Sequence, residues 1–222
     1  QNNVIEGAKK ENIQKLIFLG SSCIYPKHSI QPISEAALLS GPLEKTNEAY
    51  ALAKITGLKL CEYYRKQHNC DFISAMPSNL YGPYDNFNLS TAHVMGALIN
   101  KIVDAKIKNL ESIEIWGTGK PRREFLHVDD LAIGLLHLMD HHNSEGWINI
   151  GTGEDLSIKE LAITIADIVG FKGNIVWDTS KPDGAPRKLL NVDRMNKMGW
   201  KATIELRQGI ESVYADYVSH DK

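Results

Sequence analysis

The chain has 222 residues, 43% of them hydrophobic, enough for one sizeable core or one core with a small appended lobe. A formal net charge of -2 and a pI near 6.5 give no field that would collect nucleic acid or an anionic membrane, and no apolar run reaches the length of a membrane-spanning helix. Cys23, Cys61 and Cys70 are odd in number and contain no C-x-x-C pair, which argues against a disulfide framework or a thiolate zinc site and for a reducing, cytoplasmic setting.

Residues 1–6 have neither the basic nor the apolar region of a signal peptide. They run at once into a helical pattern, unlike a natural start. Residues 4–12 read as the tail of a helix and 15–19 as a short buried strand. A long loop with Pro26, Pro32 and Pro42 follows. Asn47 is the predicted N-cap of a helix over about 48–67. Residues 71–76 form a second predicted strand, stopped by Pro77, and 79–90 a loop rich in Gly, Pro and Asn. Residues 91–108 are predicted helical, with Val94, Leu98, Ile102 and Ala105 on one stripe. A strand over 112–116 ends at Gly117-Thr118-Gly119. Asp129 is the predicted cap of a helix carrying Leu131, Leu135 and Leu138. A strand over 147–150 comes next, then the capping-box pattern Ser157-Ile158-Lys159-Glu160, opening a helix that Gly170 closes. A strand over 174–177, a basic loop and a final helix complete the chain. Strands alternating with helices predict an α/β fold with parallel crossovers.

The informative constellation is Tyr50-Ala51-Leu52-Ala53-Lys54 on a predicted helix, preceded by Gly20-Ser21-Ser22-Cys23 at a strand end. Four-residue spacing puts the phenol and the ammonium on one helix face. A free phenol, with a pKa of about 10, is a poor acid–base group near neutrality, and an adjacent ammonium favours its ionised form. A serine hydroxyl ahead of the pair adds a donor for a carbonyl oxygen. Such a set serves the reduction of a ketone by hydride. Tyr and Lys at this spacing are also a common surface pair; the strand–Ser-Ser–loop ahead of them favours chemistry.

Four motifs stand in the order found in extended short-chain dehydrogenases/reductases acting on nucleotide sugars. They are Gly20-Ser21-Ser22-Cys23-Ile24-Tyr25-Pro26, the Tyr50/Lys54 pair, Pro77-Ser78-Asn79-Leu80-Tyr81-Gly82-Pro83, and Arg123-Glu124-Phe125-Leu126-His127-Val128-Asp129-Asp130. Cys23, the stretch Asp85-Asn86-Phe87-Asn88, and His93 narrow the resemblance to the GDP-L-fucose synthase family, over essentially the whole chain.

The resemblance implies a partial Rossmann-like doubly wound sheet with a smaller α/β substrate-binding lobe. Residues 1–82, with 120–150 returning in part, would belong to the NADP-binding domain, and 83–222 mainly to the GDP-sugar lobe. It implies 3,5-epimerisation of GDP-4-keto-6-deoxy-mannose, then NADPH-dependent reduction at C4. Tyr50 would be the acid of the reduction, Lys54 its partner and a holder of the cofactor, and Ser21 the triad serine. Cys23 and His93 would exchange protons on opposite faces of the sugar, where thiol and imidazole pKa values of about 8.5 and 6.5 suit the task. Taken alone, Cys23 reads as a small buried hydrophobe and His93 as an ordinary helix-start residue. NADP(H) would lie against Leu19, Gly20, Ser21, Ser22, Tyr50, Lys54, Pro77, Ser78, Asn79, Leu80 and His93. The GDP-sugar would be held by Asn79, Lys101, Trp116, Arg123, Asp183 and Lys188. Arg123 is the strongest physical candidate, since a guanidinium binds phosphate through two donors.

Gly117-Thr118-Gly119 and Gly151-Thr152-Gly153 read as turns, and His127-Val128-Asp129-Asp130 as a helix start; no metal is expected. No G-x-x-G-x-x-G turn for a cofactor pyrophosphate occurs among these residues. The strand over 15–19 would be the fourth of a full sheet, so the open sheet edge would need a further segment or partner to cover it. The chain alone is expected to be weak or inactive. Homodimerisation through the Tyr50 helix is the family expectation. Alternatives are a GDP-colitose synthase-like or other nucleotide-sugar epimerase/reductase, and a GDP-sugar-binding module without turnover.

Overall fold

The computed structural model describes residues 1–143 and 145–220. Its first unit is a strand–helix–strand crossover: β1 (Leu16–Leu19), α2 (Glu48–His68) and β2 (Phe72–Pro77), preceded by α1 (Asn2–Lys10). β1 and β2 pair in parallel from Leu16↔Phe72 to Leu19↔Ala75. β7 (Trp147–Ile150) joins the far side of β2, also parallel, giving the order β1-β2-β7. All six residues of β2 are buried, as a parallel strand covered on both faces requires.

β2 ends at Pro77, one residue beyond the predicted end. Proline lacks an N–H, and the next donor, the Ser78 N–H, goes to the Ile150 carbonyl at 3.0 Å. The expected loop over 79–90 likewise begins with a strand, β3 (Asn79–Tyr81), paired in parallel with β6 (Phe125–His127). Three residues are too few to show alternation, and their partner lies far along the chain.

The remaining elements are α3 (Val94–Ile107), β4 (Ser112–Trp116), β5 (Arg122–Arg123), α4 (Val128–His141), β8 (Leu156–Ser157), α5 (Ile158–Val169), β9 (Asn174–Asp178), β10 (Arg187–Lys188), α6 (Asp193–Lys197) and α7 (Leu206–His220). β4 pairs with β9, and β5 lies between β10 and β8. α3 starts three residues later than predicted, because the Thr91 and Ala92 N–H groups turn back onto the Asn88 carbonyl and leave His93 as the N-cap. At α4 the cap is His127, whose Nδ1 accepts from the Asp129 N–H at 3.2 Å. Asp130 is turned inward and accepts from Thr203 N, Thr203 Oγ1 and Ile204 N, stapling the C-terminal segment to α4. The capping box at Ser157 and Glu160 forms as the sequence predicts, and Gly170 closes α5 in the left-handed conformation.

Two main cores follow. Ile73, Ala75, Ile148 and Ile150 of the first sheet pack against Leu131, Leu138, Met195 and Trp200. Leu98, Ile99 and Ile102 of α3 meet Ile113, Ile115, Leu161, Ile165, Ile210 and Val213. Each such fully buried aliphatic side chain contributes about 1.5–3 kcal/mol. The carboxyl ends of β1 and β2 open toward α3, the place where α/β folds put ligands.

Candidate active site

Gly20 follows β1 and donates its N–H to the Ala75 carbonyl at 2.9 Å. A Cβ at this position would collide with Met76 Sδ, so glycine is needed for the chain to run so close to β2. Ser21 then caps a one-turn helix over Ser22–Ile24, its Oγ accepting from the Cys23 N–H at 3.2 Å. Beyond the turn, Tyr25 donates its hydroxyl to Asn149 Oδ1 at 2.5 Å and accepts from Trp147 Nε1 at 3.2 Å. Burial pushes the Tyr25 phenol well above its ordinary range, which keeps it neutral and a donor. Cys23 therefore sits on a turn pinned at both ends.

Tyr50 and Lys54 share one face of α2, as the spacing predicts. The Lys54 ammonium donates to the Leu19 carbonyl at 2.8 Å and lies 5.6 Å from the centre of the Tyr50 ring. This contact fastens the start of α2 to the end of β1. Tyr50 remains 46% exposed, so its hydroxyl is open to a ligand.

A cleft of about 660 Å³ runs between the end of the first sheet and the start of α3. Gly20, Ser21, Ser22, Cys23, Tyr50, Pro77, Ser78, Asn79, Leu80 and His93 line it, with Asn47, Val94, Met95 and Phe125. Leu19 and Lys54, which both read as cofactor-binding in the sequence, do not line it and are joined to each other. Ser78 Oγ is buried with no partner among the described residues, and the Asn79 amide donates to the Glu124 carbonyl at 2.7 Å. A second hollow of about 380 Å³ shares Cys23, Asn47 and His93 with the first and continues to Arg123, Arg187 and Lys188.

Lys188 donates to Cys23 Sγ at 3.5 Å. Arg123 is held by the Arg122 carbonyl at 2.8 Å; burial pulls its guanidinium below its ordinary range, with Asp183 opposing. Asp183 accepts from Thr118 N and Thr118 Oγ1, both at 2.7 Å, and these bonds hold its carboxyl below the usual range. It thus pins the 181–186 loop to the Gly117 turn and lines neither hollow. Trp116 is 68% exposed with the Lys181 ammonium 5.5 Å from its ring centre, and Lys101 lies along α3; neither lines the two hollows. In the sequence Glu124 stands only as part of a motif and Asn47 only as a cap. In the structure Asn47 makes no side-chain capping bond, and it faces both hollows. Among the described residues no group of His, Cys, Asp or Glu could hold a metal ion.

Fold and cleft define an NAD dependent epimerase/dehydratase, the family whose model matches residues 1–151. A probable GDP-L-fucose synthase 1 of Oryza sativa subsp. japonica is 53% identical over 99% of this chain and 67% of its own length. A GDP-L-fucose synthase of Sinorhizobium fredii is 55% identical over 98% of this chain and 69% of its own. Among solved structures, a GDP-L-fucose synthetase from Naegleria fowleri bound to NADP superposes with a TM-score of 0.93 at 32% identity, covering 99% of this chain and 71% of that one. The chain belongs to the GDP-L-fucose synthase family.

Proposed function

We propose that the chain acts in converting GDP-4-keto-6-deoxy-mannose to GDP-L-fucose, with the sugar at the junction of the two hollows. One observation carries this reading: Ser21 and Cys23 of one turn, Tyr50 and His93, from three separate segments, border one cleft, and Arg123 and Lys188 line the hollow that shares Cys23 and His93 with it. The 660 Å³ hollow fits the nicotinamide end of NADPH, since it holds an unpartnered buried hydroxyl at Ser78 and the exposed Tyr50 phenol. NADP(H), when bound, supplies the hydride for C4.

The rest of the chemistry belongs to side chains. The Cys23 thiolate takes the proton alpha to the ketone, and the electron pair moves onto the C4 oxygen as an enolate. Tyr50 and Ser21 donate hydrogen bonds to that oxygen, stabilising charge where it develops. His93 returns a proton from the opposite face, which inverts the carbon. The same steps serve C3 and C5. In the reduction Tyr50 gives its proton to the C4 oxygen. Lys54, latched to Leu19, keeps the phenol in place and holds the cofactor ribose. Asn79 contacts the sugar, and Arg123 and Lys188 hold the diphosphate. Trp116, flat and exposed beside the Gly117 turn that Asp183 secures, offers a surface for guanine, and Lys101 adds a cation on α3.

Residues 1–82, with 120–150, form the cofactor side, and 83–222 mainly the GDP-sugar side. Exposed Val4, Leu52 and Tyr63 on α1 and α2 support pairing of two copies through these helices. No described helix is long and apolar enough to cross a membrane, and the three free cysteines fit a reducing cytoplasm. The test is product identification after incubation with GDP-4-keto-6-deoxy-mannose and abundant NADPH. GDP-L-fucose is expected, formed slowly in keeping with the weak activity expected of the chain alone; a product with unchanged C3 and C5 would contradict the proposal.

A further inference from the structure

Arg123 and Lys188 are directly opposite each other in the β5–β10 pair, a parallel ladder only two residues long. Like charges set across such a pair repel, and so short a ladder does little to hold them. Both line the same hollow. The next residue, Glu124, is 0% exposed. Its Oε2 accepts from the Leu190 N–H at 2.9 Å, two residues beyond Lys188, and its Oε1 accepts from the Gly153 N–H at 2.8 Å. Oε1 also lies so close to Gly151 that a Cβ there would collide with it. Its backbone carbonyl is the one that receives the Asn79 amide.

We propose that Glu124 is a positioning residue, a buried carboxylate that keeps Arg123 and Lys188 side by side for a diphosphate. This rests on the reading of those two cations as the diphosphate clamp. Three segments, 122–124, 151–153 and 188–190, converge on one side chain. Only a carboxylate accepts at both oxygens from opposed backbone N–H groups without presenting a donor of its own. Burying it is unfavourable, and burial pushes the carboxyl up to about 7 although the amide donors pull the other way. The Gly151-Thr152-Gly153 turn, which reads as simple punctuation in the sequence, gives the carboxylate both a donor and space. An amide in place of the carboxylate would set an NH₂ against a backbone N–H and release one strand of the clamp.

The test is calorimetric titration of GDP and GMP, above pH 7 where Glu124 is ionised, into the 222-residue chain, its Glu124→Gln variant and its Gly151→Ala variant, with thermal melts of each. Gly151 lines neither hollow, and its added methyl displaces the same carboxylate. Wild type should prefer GDP over GMP by roughly tenfold or more, the contribution of charge-assisted bonds to the second phosphate. Both folded variants should lose most of that preference while GMP affinity changes by less than about twofold. If Glu124→Gln fails to fold, Gly151→Ala carries the test. An intact preference in the folded variants overturns the proposal, and so does unfolding of both, which would assign Glu124 to the fold alone. Absence of any GDP preference in wild type would instead remove the clamp reading on which the proposal stands.

Discussion

The Lys188 ammonium reaches the Cys23 sulphur at 3.5 Å, joining two residues 165 positions apart. Cys23 lies on a turn anchored to the first sheet, and Lys188 on the short strand opposite Arg123. The contact links the proposed proton-exchanging thiol to the proposed phosphate clamp. Lys188→Met should therefore slow solvent hydrogen exchange into the sugar by about tenfold at saturating substrate, in addition to raising KM. A change confined to KM would leave Lys188 a binding residue only.

Tyr50→Phe removes the proton donor of the reduction and little else, since the ring is half exposed and makes no core contact. Reduction should fall by about 10²–10⁴-fold, the usual range for loss of a positioned general acid. The melting temperature should barely move, as expected for a surface change of roughly 0.5 kcal/mol or less. Initial rates of NADPH oxidation, paired with melts, check both halves.

Tyr25→Phe tests the anchor behind Cys23. It leaves Asn149 Oδ1 and Trp147 Nε1 without their partner, in a site where Asn149 is wholly buried. Stability should drop by about 1–3 kcal/mol, the desolvation penalty of buried polar groups left unmet. Denaturant unfolding measures it.

Two buried groups give opposing pH effects. Burial raises Glu124 from 4.5 to about 7, so between these values the folded chain holds a proton that the unfolded chain has lost. Its contribution to stability is present at low pH and lost as pH rises through 7. His142 is lowered from 6.5 to about 4, by burial first and then by Arg194, Arg65 and Lys15, with Asp71 opposing. Its contribution is present above 6.5 and lost as pH falls toward 4. Each slope is about 1.4 kcal/mol per pH unit at most, and between pH 4.5 and 6.5 they largely cancel. Replacing His142 with Asn should leave stability falling as pH rises across that window. A flat profile in that variant would contradict the Glu124 assignment.

Much of this was legible in the sequence because the signals were local. Tyr50 and Lys54 needed only helical spacing, the Ser157 box only a four-residue pattern, and β4 and β7 only short β-rich stretches between turns, alternating in β4. What escaped depends on distant partners. β3 is a strand only because Phe125–His127 lies beside it, and α3 begins late because Asn88 draws in the two preceding N–H groups. Nothing in the string shows Glu124 receiving N–H groups from Gly153 and Leu190. Lys188 beside Cys23 joins residues 165 positions apart, beyond any periodicity. Asp183 reads as a ligand residue in the sequence, and in the structure its oxygens are taken up by Thr118.

Cys23 is the group proposed to open a carbon–hydrogen bond next to the sugar ketone, a step that needs no hydride. The direct measurement is deuterium incorporation from heavy water into GDP-4-keto-6-deoxy-mannose, by the wild-type chain and by Cys23→Ser. Deuterium should enter at C3 and C5 with the wild type and at neither with the variant. Exchange at both carbons by Cys23→Ser at the wild-type rate would contradict the account.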